Sequence, residues 1–427
     1  MRARRRSIVM DGRLLAGMLV IMLLLTGGVA SSQQPFTEWG WPTPYERVAT
    51  TSVDWLKAKG WWPVAIASQP PWSCANALTT VMVKQGLLQQ RGIESEAQWF
   101  LAGPPIIESV AAGRTPVGLS GNFPFTSMMD KQVPVRAIML VTPNIDHAVI
   151  VPNDSPYHSL KDLKGTGAII GIVTGSSAEF FLVSALKTHG LEAGTDVVLR
   201  NMPIPEQALL PKGVAAVVPW DFTATQLIHF KKTGRAIDNI FPYNFFQGNF
   251  YVRRELEEQT PDVVQALADA YVEALLWIRL HPDETVRLMK NDSAFKTYEP
   301  DLLRQQNDAY CVYYKPTQAY IHADFWAREN ERIAEWLWEG KRTSRKLTAK
   351  DYLAYFEPKY AENTFKKLGF RIPERPVFLP SHWTGSVGKL PYAEYLNLST
   401  MKGPMAFPEK GDLTKPWVFD GKTYTPE

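Results

Sequence analysis

Apolar and polar positions along this chain switch between two periods. Val64-Ala65-Ile66-Ala67 is a short continuous apolar run, and residues 63–68 are expected to form a buried strand. The run breaks at Gln69-Pro70-Pro71, where two prolines remove backbone donors, and helical spacing takes over from Ala75 to Leu88. Residues 97–101, 117–119 and 136–141 read as further strands, with a short helix over 106–112. Strands alternating with helices predict right-handed βαβ units and an open α/β sheet.

The pattern then restarts. Ser159-Leu160-Lys161-Asp162-Leu163 predicts a short helical turn, residues 168–173 a buried strand, and Thr174-Gly175-Ser176-Ser177-Ala178-Glu179 the start of a helix ending near Gly190. Residues 197–199 and 214–218 read as two more strands. This is a second α/β unit of about one hundred residues, inserted between two parts of the first. From Thr260 the chain turns mainly helical: Thr260 suits an N-cap, Pro261 the first turn, and Asp262 the positive end of the dipole. Val263, Leu267, Ala270, Ala274 and Ile278 keep one apolar face. A further amphipathic helix is expected over 324–338, stopping at Gly340. Beyond Pro373 the sequence is rich in proline and aromatics and has no clear period.

The N-terminus changes the picture. Arg2 to Arg6 form a basic head, Leu19 to Leu25 an apolar run, and Gly28 and Ala30 satisfy the small-x-small rule for cleavage. Residues 1–30 are therefore expected to be a signal peptide cleaved near Ala30, in preference to an uncleaved anchor, for which the run is short. Arg5-Arg6-Ser7 resembles a twin-arginine signal only weakly, and general secretory and twin-arginine export both stay open. The formal charge of +3 comes mainly from this head, where five arginines face Asp11, so the remainder is close to neutral. A near-neutral chain gives no electrostatic reason for nucleic-acid binding. With 427 residues, 45% of them apolar, there is material for two real cores.

Several chemistries lack their motifs. There is no phosphate-binding loop, no Gly-x-Ser-x-Gly elbow, and no His-x-x-His or His-Glu-x-x-His spacing for a metal. Gly165-x-Gly167 runs into a strand with the wrong glycine spacing for a dinucleotide. The chain has two cysteines, Cys74 and Cys311, too few for a disulfide framework. No cofactor and no metal are expected.

The stretch from Ser159 to Gln226 resembles the second lobe of the nitrate/taurine/alkanesulfonate family of ABC solute-binding proteins. The residues that carry this are Ser159-Leu-Lys-Asp-Leu-Lys-Gly165, Gly175-Ser176-Ser177-Ala178, Gly190-Leu191, Asp196-Val197 and Pro219-Trp220-Asp221. Thr260-Pro-Asp-Val-Val-Gln-Ala-Leu resembles the family's return helix in the first lobe. The resemblance spans roughly residues 60 to 340. It implies an α/β, two-lobed periplasmic-binding-protein fold of type II, with the ligand in the cleft between lobes. The first lobe would comprise 31–151 and 246–372, the second 152–245, with a C-terminal extension over 373–427. The implied protein is periplasmic, monomeric and not an enzyme, and its partners are a small-molecule solute and the membrane permease of an importer.

Ligands in open α/β sheets sit beyond the carboxyl ends of strands. That rule selects Gln69, Trp72 and Asn122 in the first lobe and Thr174, Gly175, Ser176, Ser177, Trp220 and Asp221 in the second as ligand-binding candidates. The serines at the helix start offer hydroxyls and free N–H groups to an anion, or alternatively a capping box of Ser176 with Glu179. Trp72, Trp99 and Trp220 are candidate walls for an apolar solute, Trp99 being expected in the core. No arginine falls in these loops to clamp an anion. Hinges are expected near 147–152 and 244–251. An alternative is a periplasmic enzyme of desulfinase type with Cys74 as nucleophile, since a thiol at a helix start can be activated; the blander readings of Cys74 are a buried thiol or a disulfide with Cys311.

Overall fold

The computed structural model describes residues 41–427 apart from 142–144, 146, 314, 377–378, 380–389, 394–407 and 420. The chain divides into Met1–Pro44 and Tyr45–Glu427, and both lobes lie in the second unit. The expected signal segment falls outside the described residues.

Two five-stranded sheets organise the molecule. The first has the order β2-β1-β3-β10-β4, built from β1 (Val64–Ser68), β2 (Ser95–Trp99), β3 (Val117–Gly121), β4 (Val135–Val141) and β10 (Gly248–Arg253). The second has the order β7-β6-β8-β5-β9, built from β5 (Ala148–Pro152), β6 (Ala168–Ile172), β7 (Val197–Asn201), β8 (Ala216–Val217) and β9 (Gly234–Asn239). The two orders are the same pattern. In each, three strands run parallel and the fourth in line is antiparallel to its neighbours: β10 against β3 and β4, and β5 against β8 and β9. The antiparallel strand of each sheet is the one that enters directly after a crossover from the other lobe. This is the two-lobed type II periplasmic-binding-protein fold.

The segments expected as hinges are largely these crossover strands. Val149, Ile150 and Val151 are fully buried β-branched residues that favour a sheet interior over a flexible link. The connections proper lie just before these strands, between Val141 and Ala148 and over residues 240–247. The edge strand β9 escaped the periodicity reading because Arg235, Asp238 and Asn239 give it no apolar pattern. The first core collects Phe125, Met128, Leu140, Tyr251, Trp326 and Tyr352, and the second Ile150, Met202, Val217 and Leu227.

The helix Pro261–Leu280 follows Thr260 as expected, but the Thr260 hydroxyl donates to the Leu256 carbonyl (2.8 Å) and does not cap it. Asp262 in its first turn accepts from the Ala49 amide and the Ser52 hydroxyl, each at 2.7 Å, and so ties the helix Thr50–Lys59 to it. In the C-terminal extension, Tyr392 stacks on Phe245 at 4.4 Å and donates to Glu329 at 2.7 Å. The hairpin of β11 (Trp417–Phe419) and β12 (Lys422–Tyr424) packs Trp417 against Phe370. Among the described residues no helix is long and apolar enough to cross a membrane.

Candidate ligand-binding site

The loops after β1, β3, β6 and β8 converge where the two lobes meet. Gln69, Trp72, Ser176, Ser177 and Trp220 line one small cavity of about 30 Å³, together with His147, Phe246 and Gly121. Five of the nine residues selected from the sequence are therefore brought together. Asn122 and Asp221 stand beside them as bridges between lobes: the Ser177 hydroxyl donates to Asn122 Oδ1 (3.0 Å), and the Ser73 amide to Asp221 Oδ2 (3.1 Å). Thr174 and Gly175 do not line the cavity; Thr174 is exposed, and its amide donates to Asn201 Oδ1 (3.0 Å).

Glycines shape the floor. A Cβ on Gly248 would meet Trp72 at 2.5 Å, and one on Gly121 would meet Phe246 at 2.8 Å and Ser177 Oγ at 2.9 Å. Only a residue without a side chain lets the tryptophan and the facing serine approach so closely. His147 and Phe246 were missed as site residues. Both sit on the crossover connections, which contribute to the cavity because they pass between the lobes, a placement that local periodicity does not encode.

The polarity of this cavity is unusual. Trp72 is 2% exposed, Trp220 5% and His147 1%, and among the described residues none of Trp72 Nε1, Trp220 Nε1 and His147 Nδ1 has a hydrogen-bond partner. Each such buried group costs roughly 1–3 kcal/mol until an acceptor or donor reaches it. Burial pushes the His147 imidazole down to about 3, so it is neutral at physiological pH. It packs among the rings of Phe246, Trp220 and Phe181 at 5.7, 6.3 and 6.5 Å. Among the described residues no charged side chain lines the cavity.

The helix Ser177–Thr188 does not begin with the expected capping box. The Ser176 hydroxyl turns back to the Val173 carbonyl (2.6 Å), and Glu179 Oε2 accepts from the Gly175 amide (2.8 Å). The Glu179 carboxylate is taken by Arg342 in a bidentate pair of 2.7 and 3.0 Å, and this guanidinium also lies over the rings of Phe123 and Trp336. Phe123, Phe180, Ile333 and Leu337 form an apolar cluster beneath it that joins the lobes. Replacing Arg342 by alanine is expected to loosen this latch: the radius of gyration in solution scattering rises, whereas an unchanged value means that the apolar cluster alone holds the lobes.

A second, open groove of about 970 Å³ flanks the inner cavity. Pro70, Pro71, Trp99 and Leu101 line it from the first lobe, Leu209, Thr223 and Phe230 from the second, and Tyr298 from the returning helical part of the first. The two spaces share their loops: Gln69 and Trp72 line the cavity, and the intervening Pro70 and Pro71 line the groove. Trp99, expected in the core, is only partly buried; it stands at the end of β2 with its Nε1 donating to Asp292 (3.2 Å). Leu101 and Leu209 are 57% and 73% exposed on the groove. Cys74, by contrast, is fully buried against Cys311 and lines neither space.

A two-lobed binding fold with a site between the lobes is the class that these observations define. Residues 83–285 match the model of the NMT1/THI5-like family. An Escherichia coli protein whose name describes an aliphatic sulfonates-binding protein is 26% identical over 215 residues, covering 48% of this chain and 64% of that one. Among solved structures, the alkanesulfonate-binding protein of Xanthomonas axonopodis pv. citri, bound to MOPS, superposes with a TM-score of 0.57 at 18% identity over 69% of this chain and 98% of that one. A desulfurization enzyme shares the fold at a TM-score of 0.50 and 18% identity, covering 71% of this chain and 99% of that one. The chain is thus similar in sequence to binding proteins and shares its fold with an alkanesulfonate-binding protein and with a desulfurization enzyme.

Proposed function

We propose that this chain is the periplasmic solute-binding component of an ABC importer, and that it captures a small organic solute between its lobes and hands it to a membrane permease. The observation that carries this reading is the pair of buried, unpartnered indole N–H groups, Trp72 from one lobe and Trp220 from the other, on one small cavity. Two donors from opposing lobes suit a single acceptor group, such as a sulfonate or carboxylate oxygen, and both are satisfied only when the lobes enclose it. A cavity of about 30 Å³ is the space of one water, so an organic solute enters by parting the lobes. The adjoining groove, walled by Trp99, Leu101, Leu209 and Phe230, suits an apolar or aromatic body on the same solute.

The test is a thermal-shift screen of the mature protein against sulfonates, nitrate, aromatic acids, pyrimidines and flavins. A ligand at one hundred times its dissociation constant adds about 2.7 kcal/mol of stability. For any hit, Trp220→Ala and Trp72→Ala are each expected to weaken binding by about tenfold or more in calorimetry. A panel without any shift, or a hit whose affinity both variants leave unchanged, would overturn the reading.

A further inference from the structure

We infer that Cys74 and Cys311 form a disulfide in the exported protein, a covalent tie between the loop that carries Trp72 and the returning helical part of the first lobe. The two sulfurs are 2.6 Å apart, inside the ~3.5–4.0 Å at which non-bonded heavy atoms settle and about half an ångström from a bond. They are the only cysteines of the chain, so a single pairing exists, although 237 residues separate them. Cys74 is completely buried and Cys311 almost so. Burial first, and then the neighbouring sulfur, hold the Cys311 thiol well above the usual range, so little thiolate forms there once the fold is complete. The bond therefore forms during folding, while the sulfurs are still accessible.

The chemistry balances as thiol–disulfide exchange with a disulfide donor of the oxidising compartment. One thiolate attacks the donor's disulfide, giving a mixed disulfide and releasing one thiol; the second thiolate then displaces the remaining donor sulfur. The two cysteines lose two protons and two electrons, and the donor leaves as two thiols.

The location gives the bond a role at the site. Trp72, Ser73 and Cys74 are consecutive. Trp72 lines the inner cavity, and the Ser73 amide donates across the lobes to Asp221. The Ser73 hydroxyl donates to Gln306 Oε1 (2.6 Å), and Gln306 Nε2 donates in turn to Thr225 Oγ1 (2.8 Å) of the second lobe. Cys74 itself sits at φ +65°, a left-handed conformation uncommon for a residue with a side chain, which the surrounding contacts must hold. A disulfide to Cys311 anchors this strained corner, and with it the tryptophan.

The experiment uses the mature protein recovered from the periplasmic fraction, alkylated in denaturant with iodoacetamide, with and without prior reduction. The expected result is no alkylated cysteine before reduction and two after it, with a Cys74–Cys311 cross-linked peptide in the unreduced digest. Reduction is expected to lower Tm by roughly 5–10 °C. The Cys74→Ala/Cys311→Ala double variant should melt like the reduced protein and be indifferent to reductant. Two alkylated cysteines in the unreduced protein, persisting after incubation with oxidised glutathione during refolding, would overturn the inference. So would an equal reductant-induced shift in the double variant. The inference rests on the export that the proposed function includes, but on neither solute nor permease: a chain found outside the periplasmic fraction overturns the location, whereas an exported chain with two free thiols overturns the disulfide alone.

Discussion

Replacing Arg91 by methionine is expected to cost about 3–5 kcal/mol of stability, the penalty for removing one partner of a buried ion pair. Arg91 and Glu273 have side chains only 3% and 0% exposed. The guanidinium also donates to the Leu87 carbonyl (2.8 Å) and lies 4.7 Å over the Tyr45 ring, and the Tyr45 hydroxyl donates to Glu273 Oε1 (2.6 Å). The pair fastens the long helix Pro261–Leu280 to the connection between β1 and β2, so its loss loosens the first lobe where the chain returns to it. Methionine keeps the volume but takes the positive charge away from a carboxylate that has no access to water. The Arg91→Met/Glu273→Leu double variant removes both charges and should recover most of the loss, as measured by urea unfolding. If the single variant costs less than about 1 kcal/mol, the pair does not hold the helix in this way.

Stability should also fall steeply in acid through His147. In the folded chain this imidazole stays neutral down to about pH 3, whereas in the unfolded chain it takes up a proton near 6.5. Between those values the unfolded state binds more protons, so the stabilising contribution is complete above about pH 6.5 and is lost as pH falls toward 3. From pH 7 to pH 4 the loss is about 3 kcal/mol. His147→Gln removes the titrating group. The difference in unfolding free energy between the two proteins should then be constant above pH 7 and change by about that amount at pH 4. Parallel curves for the two proteins across this range would show that His147 is protonated in the folded state. Since the imidazole lines the candidate ligand cavity, the same neutrality predicts solute affinity without a histidine-type step between pH 5 and 8.

The two latches between the lobes differ in kind. Arg342 with Glu179 is partly open to solvent, and its value lies in geometry, a bidentate fork stacked on two rings. The Asn122–Ser177 and Ser73–Asp221 bonds are buried and lie beside the cavity itself. Under the proposed function, a solute entering the cleft would exchange some of these lobe-to-lobe bonds for its own, and binding strength would report the difference between the two sets.

Much of this protein was legible in its residues alone. Strands such as Val64–Ser68 and Ala168–Ile172 are short apolar runs closed by turn residues, and their order is enough to predict two α/β units. The carboxyl-end rule then selected Gln69, Trp72, Ser176, Ser177 and Trp220, which do share a cavity. Other features needed the three-dimensional structure, because they depend on contacts between distant segments. The antiparallel places of β5 and β10 come from the chain crossing between lobes, and no local period marks them. Glu179 reads as a capping residue until Arg342, 163 positions away, is seen to hold it. Thr174 and Gly175 follow the same strand as Ser176 and Ser177, yet the turn of the helix start points the backbone so that only the serines reach the cavity. His147, Phe246 and the meeting of Cys74 with Cys311 are likewise long-range. Local sequence determines which elements form and where loops end; tertiary packing decides which loop residues face one another, since that is set by burial and hydrogen bonding among parts of the chain that periodicity never compares.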